Sequence, residues 1–187
     1  MVTPFIQYFI TAFILTWVIP LIGFILSGIE RLVYSISCKI NPKLAYFICN
    51  YLTFIGVIHH ELAHALLGFV TGAKIVKINL FKPQGNTLGS VEMYNRGNFF
   101  IRSIQMTFTS VAPLICGGLS ILLLYTTILP SVSNPLVLIL LWYVIVSIAL
   151  HMTMSLADLK CFVKGSYGVC LLILIVCYIK NFSLLGV

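Results

Sequence analysis

The sequence predicts an all-α polytopic membrane protein of about five transmembrane helices, carrying one short membrane-associated β-hairpin. Three observations point there. Hydrophobic residues make up 60% of the 187 positions and charged residues only 8%, too little polar surface to cover a water-soluble globule. The apolar residues gather in five long runs. Between the second and third runs lies a stretch that alternates every two residues instead.

The first run, Phe5–Leu26, has no basic segment before it and exceeds the apolar part of a cleaved leader, so it reads as a retained helix. Leu44–Val70 is the second. In the stretch from Gly72 to Asn98, Val76, Ile78 and Leu80 alternate with Lys77 and Asn79, and Pro83-Gln84-Gly85-Asn86-Thr87 supplies turn chemistry, so a β-hairpin is expected over 72–98. Phe99–Leu129 is the third helix, with Arg102 and Gln105 placing its first turns at the membrane surface. Pro135–Ala157 is the fourth, ending at Asp158, and Tyr167–Leu185 the fifth. No repeat or linker divides the chain, so 1–187 reads as a single membrane-embedded domain with its core at 44–160.

The formal charge of +7 comes from 11 Lys and Arg against four acids. In a membrane protein such an excess marks cytoplasmic loops, and no nucleic-acid role is assigned. A hairpin and an Asp158 end that both face the cytoplasm put Lys74, Lys77, Lys82, Arg96, Arg102, Lys160 and Lys164 inside, leaving Arg31, Lys39, Lys43 and Lys180 outside. This bias predicts a multi-pass cell-membrane protein with its polar site near the cytoplasmic side. The six cysteines show no C-x-x-C pairing and read as small core residues.

Chemistry concentrates late in the second helix, where His60-Glu61-Leu62-Ala63-His64 spells H-E-x-x-H. Histidines at i and i+4 share a helical face and can hold one metal ion, while the glutamate between them can take a proton from water at that ion. Zinc lowers the pKa of such a water to about 7 and polarises a carbonyl, which is what peptide hydrolysis requires. Ionisable groups inside a membrane span are costly and usually functional. His59 points about 100° away from His60 and reads as an interfacial residue.

A catalytic zinc takes a third protein ligand. The acids are Glu30, Glu61, Glu92 and Asp158. Glu30 lies at the far end of the first helix and Glu92 in the hairpin, which leaves Asp158 as the best carboxylate. Ser147, His151, Ser155 and Asp158 follow a spacing that would line one helical face. His151 is a rival third ligand, about 10 Å deeper along that helix. Pairing of Asp158 with Lys160 or Lys164 is the plainer alternative.

An H-E-x-x-H in one membrane helix, a β-hairpin after it and an aspartate near the end of a later helix, in that order over residues 44–160, resemble the site-2 protease family of intramembrane zinc metalloproteases, as a minimal or divergent member. Ser110-Val111-Ala112-Pro113 resembles the family's Gly-Pro segment, with Ala112 where glycine is usual. Asp158 sits in Ser-Leu-Ala-Asp-Leu where the family has Asn-Pro-Asp-Gly. The resemblance implies that His60, His64 and Asp158 bind zinc, that Glu61 is the general base, and that the substrate is a membrane protein or peptide within the lipid bilayer. On the residues alone, a non-catalytic metal- or peptide-binding membrane protein and a small metal or proton transporter are the alternatives.

Overall fold

Short polar side chains write the helix starts in this chain. Asn41 and Asn134 each precede a proline and accept a backbone N–H, from Leu44 at 3.1 Å and from Leu136 at 2.9 Å, and Asn98 accepts that of Ile101 at 3.0 Å. The computed structural model describes residues 4–82 and 88–184. Its elements are α1 (Pro4–Ile40), α2 (Pro42–Phe47), α3 (Phe54–Val70), β1 (Lys74–Asn79), β2 (Ser90–Tyr94), α4 (Phe99–Ser110), α5 (Ala112–Leu123), α6 (Pro135–Leu150) and α7 (Leu156–Lys180). A π-helical turn, Ile48–Leu52, joins α2 to α3, and further turns carry α5 on to Ser131. Among the described residues, Pro4–Ile40, Ala112–Ser131 and Leu156–Lys180 are long and apolar enough to cross a bilayer, whereas α3 and α6 are apolar but shorter.

The expected segments are thus redrawn in four places. The first helix runs on to Ile40, because Glu30 to Lys39 lower its hydropathy without breaking it. The second breaks at Thr53, whose hydroxyl turns back to the Cys49 carbonyl at 2.9 Å. The third breaks at Val111, just before Pro113. The fourth stops at Leu150, and Ser155 opens a new helix by a reciprocal cap with Asp158. Asp158 therefore belongs to the first turn of α7, and Ser147, His151, Ser155 and Asp158 do not share a helical face. The fifth helix accordingly begins at Leu156, well before Tyr167.

Antiparallel packing of α1 on α7 is fixed at both ends. Ser27 Oγ lies 3.1 Å from both the N and the O of Met154, and Tyr8 OH donates to Asn181 Oδ1 at 3.2 Å. Lys180 accordingly stands at the opposite end of α1 from Lys39, against their grouping by charge. Between these ends the Trp17 ring meets Phe162 edge-on at 5.2 Å, in a core with Val111, Leu114 and Met154.

Helices cross closely where side chains are small, as in apolar media generally. A Cβ on Gly165 would lie 2.7 Å from Thr107 Oγ1 and 2.8 Å from Met106 Cβ, which brings α7 onto α4. Gly56 does the same for α3 and α6. Its N–H donates to Ser147 Oγ at 2.8 Å, and a Cβ there would overlap the Ser147 carbonyl and come within 2.6 Å of His151 Nδ1. Gly56→Ala is therefore expected to force α3 and α6 apart, with an overpacking cost of about 1–3 kcal/mol. Thermal unfolding in detergent would register this as a lowered midpoint.

The hairpin is present as β1 antiparallel to β2, with Lys74 opposite Tyr94 and Asn79 opposite Ser90. An irregularity between Ile75 and Lys77 interrupts the simple alternation. The turn chemistry of 83–87 lies outside the described residues. Gln105, 1% exposed, clamps the hairpin base by donating to the Thr71 carbonyl at 3.1 Å and accepting the Arg96 N–H at 2.8 Å. Phe81 anchors the far end against the rings of Tyr51 and Phe54.

Candidate metal centre

Helical spacing on α3 places the His60 and His64 rings together, with Nε2 atoms 3.0 Å apart. His60 Nδ1 donates to the His151 carbonyl at 2.8 Å, and His64 Nδ1 donates to the Thr109 carbonyl at 2.7 Å. A carbonyl can only accept, so each Nδ1 carries a proton, and in its neutral form each ring turns an Nε2 lone pair inward. Asp158 Oδ1 lies 3.5 Å from His64 Nε2.

Ligand atoms of His60, His64 and Asp158 all lie within 4.8 Å of one another. Three acceptors at such distances repel unless a proton or a metal ion lies among them. Tetrahedral zinc with bonds of about 2.0–2.1 Å separates its donors by about 3.3 Å, near the 3.0 Å and 3.5 Å of two of the three pairs. The donor set therefore fits a divalent ion, and protonated outer nitrogens bonded to carbonyls are the usual second support of histidine ligands.

Both supporting carbonyls come from helix ends. Within an α-helix the Thr109 carbonyl would take the N–H of residue 113, but Pro113 has none to give. The His151 carbonyl would take the N–H of Ser155, which goes instead to Asp158 Oδ2 at 2.9 Å. The breaks that displaced the expected boundaries are the same breaks that turn these two carbonyls toward the imidazoles, with the Thr109 carbonyl also taking a helix-end N–H. Sequence reasoning missed Thr109, the His151 carbonyl and the capping role of Ser155, which it had placed on one helical face with Asp158. The available signals were the proline four residues after Thr109 and the S-x-x-D of a cap.

The other candidates lie apart from this set. The His151 ring turns its Nδ1 to the Ser147 carbonyl at 3.0 Å, so the residue meets His60 through its own carbonyl. His59 Nε2 pairs with Ser120 Oγ at 3.0 Å, between α3 and α5. Glu92 is exposed on β2, opposite Lys77.

Glu61, 8% exposed, opens with the three ligands into one cavity of about 540 Å³, bordered by Leu88 to Val91 and by Met93 of the hairpin. The hairpin backbone passes directly over the Glu61 carboxylate. A Cβ on Gly89 would lie 2.6 Å from Glu61 Cγ and 2.9 Å from its Oε1 and from the Asn79 carbonyl. Gly89→Ala is expected to displace that carboxylate and, were the centre hydrolytic, to lower turnover on the order of 10- to 100-fold with metal content unchanged. Kinetics on the metal-replete variant would show it.

Comparison of the chain with protein-family models, with curated proteins and with solved structures finds no match in any of the three.

Proposed function

We propose that the chain is a multi-pass membrane metalloprotease of the site-2 type, hydrolysing peptide bonds of membrane-embedded or membrane-associated substrates. His60, His64 and Asp158 are its zinc ligands and Glu61 its general base. The observation that carries this reading is the convergence of two inward Nε2 atoms and a carboxylate oxygen beside Glu61 in one cavity. A zinc ion held there supplies Lewis acidity for the attacking water and the scissile carbonyl.

The chain's own residues do the rest. Glu61 accepts the proton of the attacking water as the C–O bond forms and then passes it to the amide nitrogen, so that the C–N bond breaks with a neutral amine departing. Its enclosure beneath Gly89 holds the carboxylate where that proton is released. The Thr109 and His151 carbonyls keep both imidazoles in one tautomer throughout.

β2 borders the cavity and, among the described residues, pairs only with β1, so its other edge offers backbone groups to an extended segment. A substrate helix has its carbonyls bonded internally and must unwind before one can react, and a strand edge holds the unwound segment straight. Lys74, Lys77, Lys82, Arg96 and Arg102 around this hairpin support an opening toward the cytoplasm. The apolar faces of α1, α5 and α7 support burial in a bilayer, beside the shorter apolar helices α3 and α6.

The test is cleavage of a membrane-embedded peptide by the reconstituted chain. Hydrolysis that a chelator stops and added zinc restores is expected. Metal binding with no hydrolysis of any membrane peptide would leave a binding protein, and hydrolysis indifferent to chelation would overturn the mechanism.

A further inference from the structure

We propose that Ser155 positions the third metal ligand, so that a helix cap serves as a working part of the metal centre; this role rests on the zinc site proposed above. The two oxygens of Asp158 are held differently. Oδ2 receives the Ser155 backbone N–H at 2.9 Å and the Ser155 hydroxyl at 2.6 Å. Oδ1 is left facing His64 Nε2 at 3.5 Å. The Ser155 oxygen in turn accepts the Asp158 N–H at 3.1 Å, which closes the cap.

Two consequences follow for the ligand. With both bonds on one oxygen, the carboxylate cannot rotate without breaking them, so Oδ1 stays aimed at the imidazoles before any ion arrives. Ligands oriented on folding bind more tightly, because less order remains to be imposed at binding. Commitment of Oδ2 also makes Asp158 a one-oxygen ligand, which leaves a coordination position for water. The start of α7 suits the role further, since helix N-termini favour negative charge. Ser155 is thus a positioning residue that acts through Asp158.

The experiment measures zinc affinity of the full-length protein in detergent by competition with a chromophoric chelator, alongside thermal unfolding of the zinc-free form. Ser155→Ala is expected to weaken zinc binding about 10- to 100-fold. Ser155→Thr, which keeps the hydroxyl, should stay near wild type. Ser155→Gly separates the two duties of the serine, because glycine starts a helix nearly as well but has no hydroxyl. It should lose affinity as alanine does while the zinc-free protein unfolds near the wild-type temperature.

Wild-type affinity in Ser155→Gly would overturn the role, since only the helix start would then matter. A wild type that binds no zinc would overturn the metal site itself and this role with it. A zinc-binding wild type with unchanged Ser155→Ala and Ser155→Gly removes only the role of Ser155. Should the alanine variant fail to fold, the threonine and glycine variants decide the matter.

Discussion

Glu61→Gln is expected to keep its zinc and lose hydrolysis. Glutamine matches the shape of the side chain in its space beneath Gly89, but a carboxamide does not take up a proton near neutral pH. Glu61 is not among the three converging ligands, so metal content should match wild type. General-base contributions run from about 100- to 10,000-fold, so single-turnover cleavage should fall by at least about 100-fold, or roughly 3 kcal/mol of barrier. Metal analysis and cleavage on the same preparation check both halves. Undiminished cleavage would sink the mechanism, whereas zinc lost along with activity would make Glu61 a ligand.

Asp158→Ala should drop zinc from about one per chain to near none and abolish cleavage with it. Two imidazoles alone are too few for a catalytic zinc, which takes three protein ligands. The variant also leaves the Ser155 hydroxyl and N–H without their acceptor. His151→Ala supplies the contrast, because His151 meets His60 only through a backbone carbonyl that alanine retains. Zinc kept by Asp158→Ala and lost by His151→Ala would move the third ligand to the histidine.

Much of the site was legible because its chemistry is local. The i, i+4 spacing of His60 and His64 fixes their convergence without any tertiary knowledge. Asp158 was reached by scarcity, since four acids leave little choice, yet it was placed at the end of one helix when it begins the next. Hydropathy could not show that break, because His151 to Met154 interrupts the helix without interrupting an apolar run. The S-x-x-D cap was visible but was subordinated to a periodicity that passed through it. The hairpin followed from alternation, whereas its irregularity near Val76 and the passage of Gly89 over Glu61 depend on packing that no local pattern encodes. Apolar length alone likewise does not reveal that Tyr8 and Asn181 meet.

Both carbonyls that hold the imidazoles sit at helix breaks, and a carbonyl left without a donor in an apolar medium costs several kcal/mol. The histidines are therefore part of the architecture as well as the chemistry, since removing the His60 ring takes from the His151 carbonyl the donor found for it among the described residues, and removing the His64 ring leaves the Thr109 carbonyl with its helix-end N–H alone. Glu61 carries no such burden. In a lineage released from the need for activity, the glutamate would be the first of these residues free to drift, and the two imidazoles would persist as struts in an inert protein.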